Sequence, residues 1–317
     1  MRRKLSLYFA TDLHGSEQCF RKFLNAGKAY APDVMVLGGD LAGKAVQAIV
    51  RHDDGRYRFT FRGRGYDLDD GEELVRIERL IADHGYYPWR SAPGDLDRAR
   101  RDGTVDALLL ELMCDRLRSW LELADERLRP LALPVYWMLG NDDPPELGPL
   151  LDAAPWGAHA EDRVLDLGDG HALVSLGYSN PTPWDSYREL SEDDLQARID
   201  ALFEQVEDPH RAVLNAHVPP FRSGLDEAPV LDSELTVQTS AGQVKMGAVG
   251  STAVRDAIER HQPMASLHGH VHESAGFRRI GRTLAVNPGS DYGTGALNGA
   301  LLVLDGDRVR AHQLVRG

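Results

Sequence analysis

The feature that most restricts how this chain can fold is a series of short apolar runs separated by stretches of helical spacing. They are Leu5 to Ala10, Val34 to Leu37, Val135 to Leu139, Ala212 to Leu214 and Met264 to Leu267. Runs this short read as core strands, and their alternation with helices predicts a layered α/β sheet. Ahead of the fourth run, Leu195, Ile199, Leu202, Phe203 and Val206 keep helical spacing behind a Ser191 to Asp194 capping box, which predicts a helix packed on the sheet.

Residues 43 to 130 interrupt this rhythm. Tyr57, Phe59 and Phe61 alternate with Arg56, Arg58, Thr60 and Arg62, which predicts a hairpin turning at Asp53-Asp54-Gly55. A helix with Leu74, Ile77, Leu80, Ile81 and His84 on one face follows. Next come an aromatic loop (Tyr86, Tyr87, Trp89, Arg90) and a longer helix carrying Val105, Leu108, Leu109, Leu112, Trp120, Leu121 and Leu128. The stretch reads as a folded hairpin-plus-helices insertion within a single domain spanning residues 1 to 317, positioned to cap a site. The C-terminal third, with runs at Phe277 to Ile280, Thr283 to Val286, Leu301 to Leu304 and Val309 to Leu314, reads as a β-meander.

Each of the five apolar runs is followed by residues able to ligate a metal: Asp12 and His14, Asp40, Asn141, His217, then His270 and His272. In open α/β sheets the loops beyond the strands' carboxyl ends form the binding crevice, so these side chains can converge there. Gly15, Gly38, Gly39, Gly140 and Gly269 allow tight backbone paths beside them. Taken singly, an Asp after a strand is an ordinary turn or helix-capping residue. The ordered set of five is a different matter, because independent accidents must multiply.

A mixed carboxylate, amide and imidazole set without nearby thiolates suits two borderline divalent cations rather than a structural zinc. Manganese is favoured over iron, zinc or nickel. A carboxylate such as Asp40 can bridge the pair by giving one oxygen to each ion. Cations about 3.5–4 Å apart can generate a bridging hydroxide nucleophile near neutral pH and clamp an in-line phosphoryl displacement. That chemistry points to phosphate-ester hydrolysis.

The ordered motifs Asp12-Leu13-His14, Gly39-Asp40, Gly140-Asn141, His217 and Gly269-His270-Val271-His272 resemble those of the calcineurin-like metallophosphoesterase superfamily. GGDLAGK, HGHVHES and the later NPGS are similar to an uncharacterised prokaryotic branch of predicted phosphoesterases. The resemblance implies a four-layer α/β/β/α sandwich, with Asp12, His14, Asp40 and His272 holding one metal and Asp40, Asn141, His217 and His270 the other. Many members place a His after the GN pair to protonate the leaving group. This chain has Asp142 there, and adjacent cations would hold a carboxyl's pKa down. Asp40, Asn141, Asp142 and His217 are therefore the candidate catalytic residues, with the acid an open role.

Lys44, Arg56, Arg58 and Arg62 are candidate substrate contacts for a small phosphate ester, and the stretch from Val218 to Gly250 is expected to reach over the metal end. Gly38 and Gly43-Lys44 have the spacing of a phosphate-binding P-loop, but Ala45 stands where the motif needs Ser or Thr. His159, His171, His261 and His268 lack ligand spacing and read as structural, with His268 as a possible support for the neighbouring GHVH motif.

Charge and cysteine content narrow the alternatives. With 36 Lys+Arg against 49 Asp+Glu, the net charge of −13 opposes nucleic acid and acidic membrane as partners. This weighs against a nuclease, while a non-catalytic scaffold on the same fold remains the other alternative. Arg2, Arg3 and Lys4 precede an apolar run that meets Asp12 after about six residues, short of the ~7–15 of an export signal. Cys19 and Cys114 lack metal or disulfide-type spacing, and a cytoplasmic location is expected. Monoesterase or diesterase action, natural substrate and oligomeric state are open at this level.

Overall fold

The computed structural model describes residues 4–232, 234–240 and 242–317; Arg2 and Arg3, the start of the basic N-terminal stretch, lie outside the described residues. From the N-terminus, β1 (Leu5–Ala10), α1 (Glu17–Tyr30) and β2 (Val34–Gly38) form a parallel unit. Then come β3 (Ala45–Arg51), β4 (Tyr57–Phe61), β5 (Arg64–Leu68), α2 (Glu72–Asp83), β6 (Tyr86–Ser91), α3 (Asp95–Arg101) and α4 (Val105–Leu128). The middle of the chain supplies β7 (Val135–Met138), α5 (Gly148–Asp152), β8 (Ala158–His159), β9 (Arg163–Gly168), β10 (His171–Leu176), α6 (Glu192–Phe203) and β11 (Ala212–Ala216). Four short strands follow: β12 (Glu227–Pro229), β13 (Thr239–Ser240), β14 (Gln243–Val244) and β15 (Met246–Ala248). The chain ends with α7 (Thr252–His261), β16 (Ala265–Leu267), β17 (Gly276–Ile280), β18 (Thr283–Asn287), β19 (Asn298–Asp305) and β20 (Arg308–Arg316).

Two six-stranded sheets carry the fold, in the orders β20-β19-β1-β2-β7-β8 and β17-β18-β16-β11-β10-β9. In each, the inner strands run parallel and an antiparallel strand or hairpin closes the edge. Strand periodicity sorts the side chains. From β1, Leu5, Leu7 and Phe9 join residues of the second sheet such as Val213, Leu267 and Val286 in a core between the sheets. Tyr8 and Ala10 join Phe20, Phe23, Trp120 and Leu128 in the core beneath α1 and α4. The second sheet packs its other face on α6 and α7 through Leu195, Ile199, Val254 and Ile258. Burial on both faces is why these strands are mostly apolar instead of alternating, with Asn215 and Ser266 as buried polar exceptions.

Helix α1 starts where Ser16 Oγ accepts the Cys19 N–H at 3.2 Å. It buries Phe20, which stacks on Trp120 at 4.2 Å, and a buried ring of this size contributes about 2 kcal/mol. In α6 the predicted cap is present, but Asp194 accepts from the Ser191 hydroxyl at 2.7 Å while its N–H donates back at 3.1 Å. No helix among the described residues is long and apolar enough to cross a membrane.

Three local expectations need correction. The aromatic stretch Tyr86 to Arg90 is not a loop: it is β6, lying parallel to β3 at the edge of a four-stranded sheet ordered β5-β4-β3-β6. This sheet and α2 share a small core of Ile49, Tyr57, Phe61, Leu74, Ile77 and Ile81, whereas Leu80 is exposed. Helix α4 packs instead in the core beneath the first large sheet, through Met113, Leu117, Trp120 and Leu121. Finally, the C-terminal strands do not form one meander. The β17-β18 hairpin edges the second sheet and the β19-β20 hairpin edges the first, because local strand patterns carry no information about which neighbour completes the ladder.

Candidate metal centre

The parallel strands of both large sheets deliver their carboxyl ends to one rim. Asp12 and His14 follow β1, Asp40 follows β2, Asn141 follows β7, His217 follows β11, and His270 and His272 follow β16. The backbone turns so sharply there that Asp12, His14, Asp40 and His270 all adopt positive φ, at 56°, 42°, 51° and 64°. Such conformations cost non-glycine residues roughly 1 kcal/mol or more and cluster at functional sites. Glycine is required beside two of the ligands for space: a Cβ on Gly140 would lie 2.1 Å from Asp40 Oδ1, and one on Gly269 would lie 2.2 Å from Asp12 Oδ2.

The side chains converge into overlapping groups of Asp12 with His14 and His272, Asp12 with Asp40 and His217, and His14 with Asp40 and Asp142. His272 Nε2 is 3.3 Å from Asp12 Oδ1 and 3.1 Å from His14 Nε2. Asp40 Oδ2 is 3.5 Å from His14 Nε2 and 3.4 Å from His217 Nε2, while Asp40 Oδ1 accepts the Asp142 N–H at 3.0 Å. A single Asp40 oxygen, Oδ2, therefore faces both imidazoles. Asn141 Oδ1 lies 2.7 Å from His270 Nδ1.

The residues fit a divalent metal, and the test is His217. Its Nδ1 donates to Gly38 O at 2.8 Å, which turns Nε2 toward Asp40 and Asp12. That Nε2 is buried without a hydrogen-bond partner, as is His14 Nδ1. A buried imidazole nitrogen turned toward two carboxylates without a hydrogen bond to either is the arrangement a divalent metal would use.

Electrostatics reinforce this reading. For Asp12, burial raises the pKa, but the His272 hydrogen bond and the His217 charge prevail and bring it to about 2. Asp40 follows the same pattern, held well below the usual carboxylate range by His217 and His14 despite its burial. Burial opposes the His217 imidazolium, yet Asp40 raises its pKa to about 10. Burial lowers His14 to about 3 and His270 to about 4. Asp142 is pushed up to about 6 by burial and by Asp40, against the pull of Lys44.

Around these residues lies a supporting layer, of which His268 alone was singled out in that role from sequence. Asp143, fully buried, accepts N–H bonds from Leu41, Ala42 and Gly140 at 3.0, 2.8 and 2.8 Å, tying the Asp40 loop to the Asn141 loop. Burial and the Asp40 charge push its pKa up to about 7 against those three donors. Asn141 Nδ2 donates to Ser186 Oγ at 2.8 Å, and Ser290 Oγ donates to Asp12 O at 2.7 Å. Asn287 Nδ2 donates to Val271 O at 2.8 Å. The NPGS motif supplies Asn287 and Ser290, and was the one available signal for them. His268 grips the backbone on both sides of His217, with Nδ1 2.8 Å from Ala216 O and 3.1 Å from Val218 O. His159, His171 and His261 bond to Asp152, Gly168 and Asp200, away from the ligand groups.

The candidate substrate contacts separate. Lys44 pairs with Asp142, and Arg62 lines a cavity of about 240 Å³ beside His14, together with Lys44, Tyr86 and Tyr292. The Tyr292 ring, also missed from sequence, sits 4.7 Å from that of His14 and 5.9 Å from that of His272. Arg56 and Arg58 instead bond to Asp67 of the neighbouring strand and to Asp54 and Asp69 of the adjoining turns, so acidic neighbours already occupy both guanidiniums.

No family model matches the chain. An uncharacterized protein of Methanocaldococcus jannaschii, MJ1162, is 28% identical over 129 residues, 40% of this chain and 52% of the relative; the match spans about half of that relative's length. The crystal structure of TT1561 from Thermus thermophilus superposes with a TM-score of 0.55 at 15% identity, covering 99% of each chain. The two share a fold. By its motif order, the chain resembles the calcineurin-like metallophosphoesterases. Yfce, a phosphoesterase from E. coli, is a more distant match, with a TM-score of 0.32 at 11% identity and 98% of each chain covered.

Proposed function

We propose that this chain is a metal-dependent phosphoesterase built on a four-layer α/β/β/α sandwich, with residues 43 to 130 inserted between the Asp40 and Asn141 motifs of a single domain. The observation that carries the reading is the unpaired His217 Nε2, 3.4 Å from Asp40 and 3.9 Å from Asp12, in a buried cluster that also gathers His14 and His272. The ligand sets are Asp12, His14, Asp40 and His272 for one ion and Asp40, Asn141, His217 and His270 for the other, with manganese favoured. A bound pair of divalent ions would supply an activated water near neutral pH and neutralise charge on the phosphoryl oxygens.

The chain's own residues do the rest. His217 is held in one orientation by Gly38 O, and Asn141 by Ser186, so the ligands keep their geometry without rearrangement on binding. Lys44 stands at the mouth as a cation for the incoming phosphate and shares its charge with Asp142. Asp142 stands after the Gly140-Asn141 pair, but its carboxyl is paired with Lys44 and two bound cations would hold its pKa down, which makes it a weak proton donor to a departing alkoxide. Cys19 and Cys114 are both free, which suits a reducing cytoplasmic setting.

The test is hydrolysis of a panel of aryl and natural phosphate mono- and diesters by the full chain after manganese reconstitution, with metal content measured in parallel. Turnover that disappears on chelation and returns with manganese is the expected result. Metal uptake without hydrolysis of any ester would leave a binding protein on this fold.

A further inference from the structure

The cleft over the candidate ligand residues is lined by side chains of two kinds. Asp40, Asn141, Asp142, His270, His272, Glu273 and the Lys44 ammonium share it with Trp184, Pro229, Leu231, Val237 and Val249, and it encloses about 310 Å³. That volume suits an organic group of a small ligand. Trp184 is 65% exposed and Val237 43% exposed, and Leu235 and Met246 on the same excursion are open to solvent as well. Apolar side chains gathered beside a polar floor are a surface awaiting an apolar occupant. The cavity beside His14 is unlike it: Arg62, His84, Tyr86 and Tyr292 surround it, and Lys44 lines both spaces.

We infer that the phosphate ester taken by this site carries an apolar organic group, an alkyl or aryl chain, which lies against Trp184, Pro229, Leu231, Val237 and Val249 while its phosphate meets Lys44 and the ligand residues. This rests on the phosphoesterase reading and adds the substrate class. The occupant is fixed by continuity: a molecule anchored by its phosphate at Lys44 and the candidate ligand residues shares one cleft with these apolar side chains. Polar groups placed there would give up water without gaining partners. Each methylene fully buried would tighten binding by up to about fourfold.

The inference is tested by calorimetric binding of methyl-, butyl- and octylphosphonate to the manganese-loaded full chain, together with kcat/KM for methyl, butyl and octyl 4-nitrophenyl phosphates. Octylphosphonate is expected to bind about 100-fold more tightly than methylphosphonate, with kcat/KM rising in the same order. In the double variant Leu231→Ser, Val237→Ser, both of whose sites lie on the surface excursion, that ratio should fall below about tenfold. Val244→Ser, an exposed position outside the wall, should preserve it. If chain length changes neither binding nor kcat/KM while the methyl ester is hydrolysed, the apolar-group inference is overturned and the phosphoesterase reading stands. If binding tightens with chain length but no ester is cleaved, the apolar wall is upheld and the phosphoesterase reading fails.

Discussion

Asp142 donates its backbone N–H to Asp40 Oδ1 at 3.0 Å, leaving Asp40 Oδ2 as the oxygen that faces both His14 and His217. The loop after β7 therefore aims the carboxylate that the loop after β2 provides. In Asp40→Asn the amide oxygen can still accept that N–H, so the fold should persist, but the negative charge shared between the two ligand groups is gone. Manganese content measured after reconstitution should fall from two ions per chain to one or none, and ester hydrolysis should drop by about 1000-fold or more. A wild-type chain that never takes up more than one ion would defeat the two-metal proposal.

Metal uptake should release a proton from His217. With Asp40 overcoming the effect of burial, its pKa of about 10 leaves the imidazole protonated at pH 7 in the metal-free protein. A metal ligand must be neutral, so manganese binding at pH 7 should liberate close to one proton from this residue, read from calorimetry in buffers of different ionisation enthalpy. The sign for stability follows from the raised value. The His217 contribution to the metal-free fold is fully present below its unfolded pKa of about 6.5 and is lost as pH rises through about 10. Unfolding midpoints of the metal-free protein that stay level between pH 7 and 10 would contradict it.

Asp143 should matter as much as the ligands it never joins. Replacing it by Ala strands the buried N–H groups of Leu41, Ala42 and Gly140, a loss of about 3 kcal/mol once relief of the buried carboxyl is allowed for. Urea denaturation of the metal-free protein should reveal it, with weaker manganese binding because the Asp40 and Asn141 loops are no longer tied. Unchanged stability would mean that water replaces the carboxylate.

Arg62 should influence substrate choice, and Arg56 and Arg58 should not. Arg62 lines the cavity beside His14, whereas the other two are engaged by Asp67, Asp69 and Asp54. Arg62→Ala should lower kcat/KM for esters bearing a second anionic group by about tenfold, while Arg56→Ala and Arg58→Ala leave the substrate panel unchanged. Equal effects from all three would mean that the insertion moves as a unit.

Leaving-group dependence probes Asp142. Its carboxyl is tied to Lys44, so proton donation to an alkoxide is weak and aryl esters, whose phenolates leave unaided, should react much faster than alkyl esters. Asp142→His should improve alkyl esters by about 10–100-fold. Equal wild-type rates for the two classes, with chemistry shown to limit turnover, would require a different acid.

Much of this protein is decided locally. The five apolar runs become β1, β2, β7, β11 and β16 because strands buried on both faces are predominantly apolar. The ligand residues lie just beyond them because parallel strands place their carboxyl ends on one rim. Gly140 and Gly269 were visible beside the ligands, and their reason, a contact with Asp40 or Asp12 too close for any Cβ, became measurable only in three dimensions. Other features depend on what meets what across the chain. Sequence patterning could not tell that β17-β18 and β19-β20 edge different sheets, because a strand's pattern records burial and not the identity of its partner. Nor could it separate Arg62 from Arg56 and Arg58, which alternate alike along the chain but part company once Asp67 and Asp69 come across from the next strand and turn. Asp143 and Tyr292 were invisible for the same reason: one acts by accepting N–H bonds from two separate loops, the other by packing against His14 and His272, which belong to opposite ends of the chain. Local chemistry chose the candidate ligands, and long-range packing chose what surrounds them.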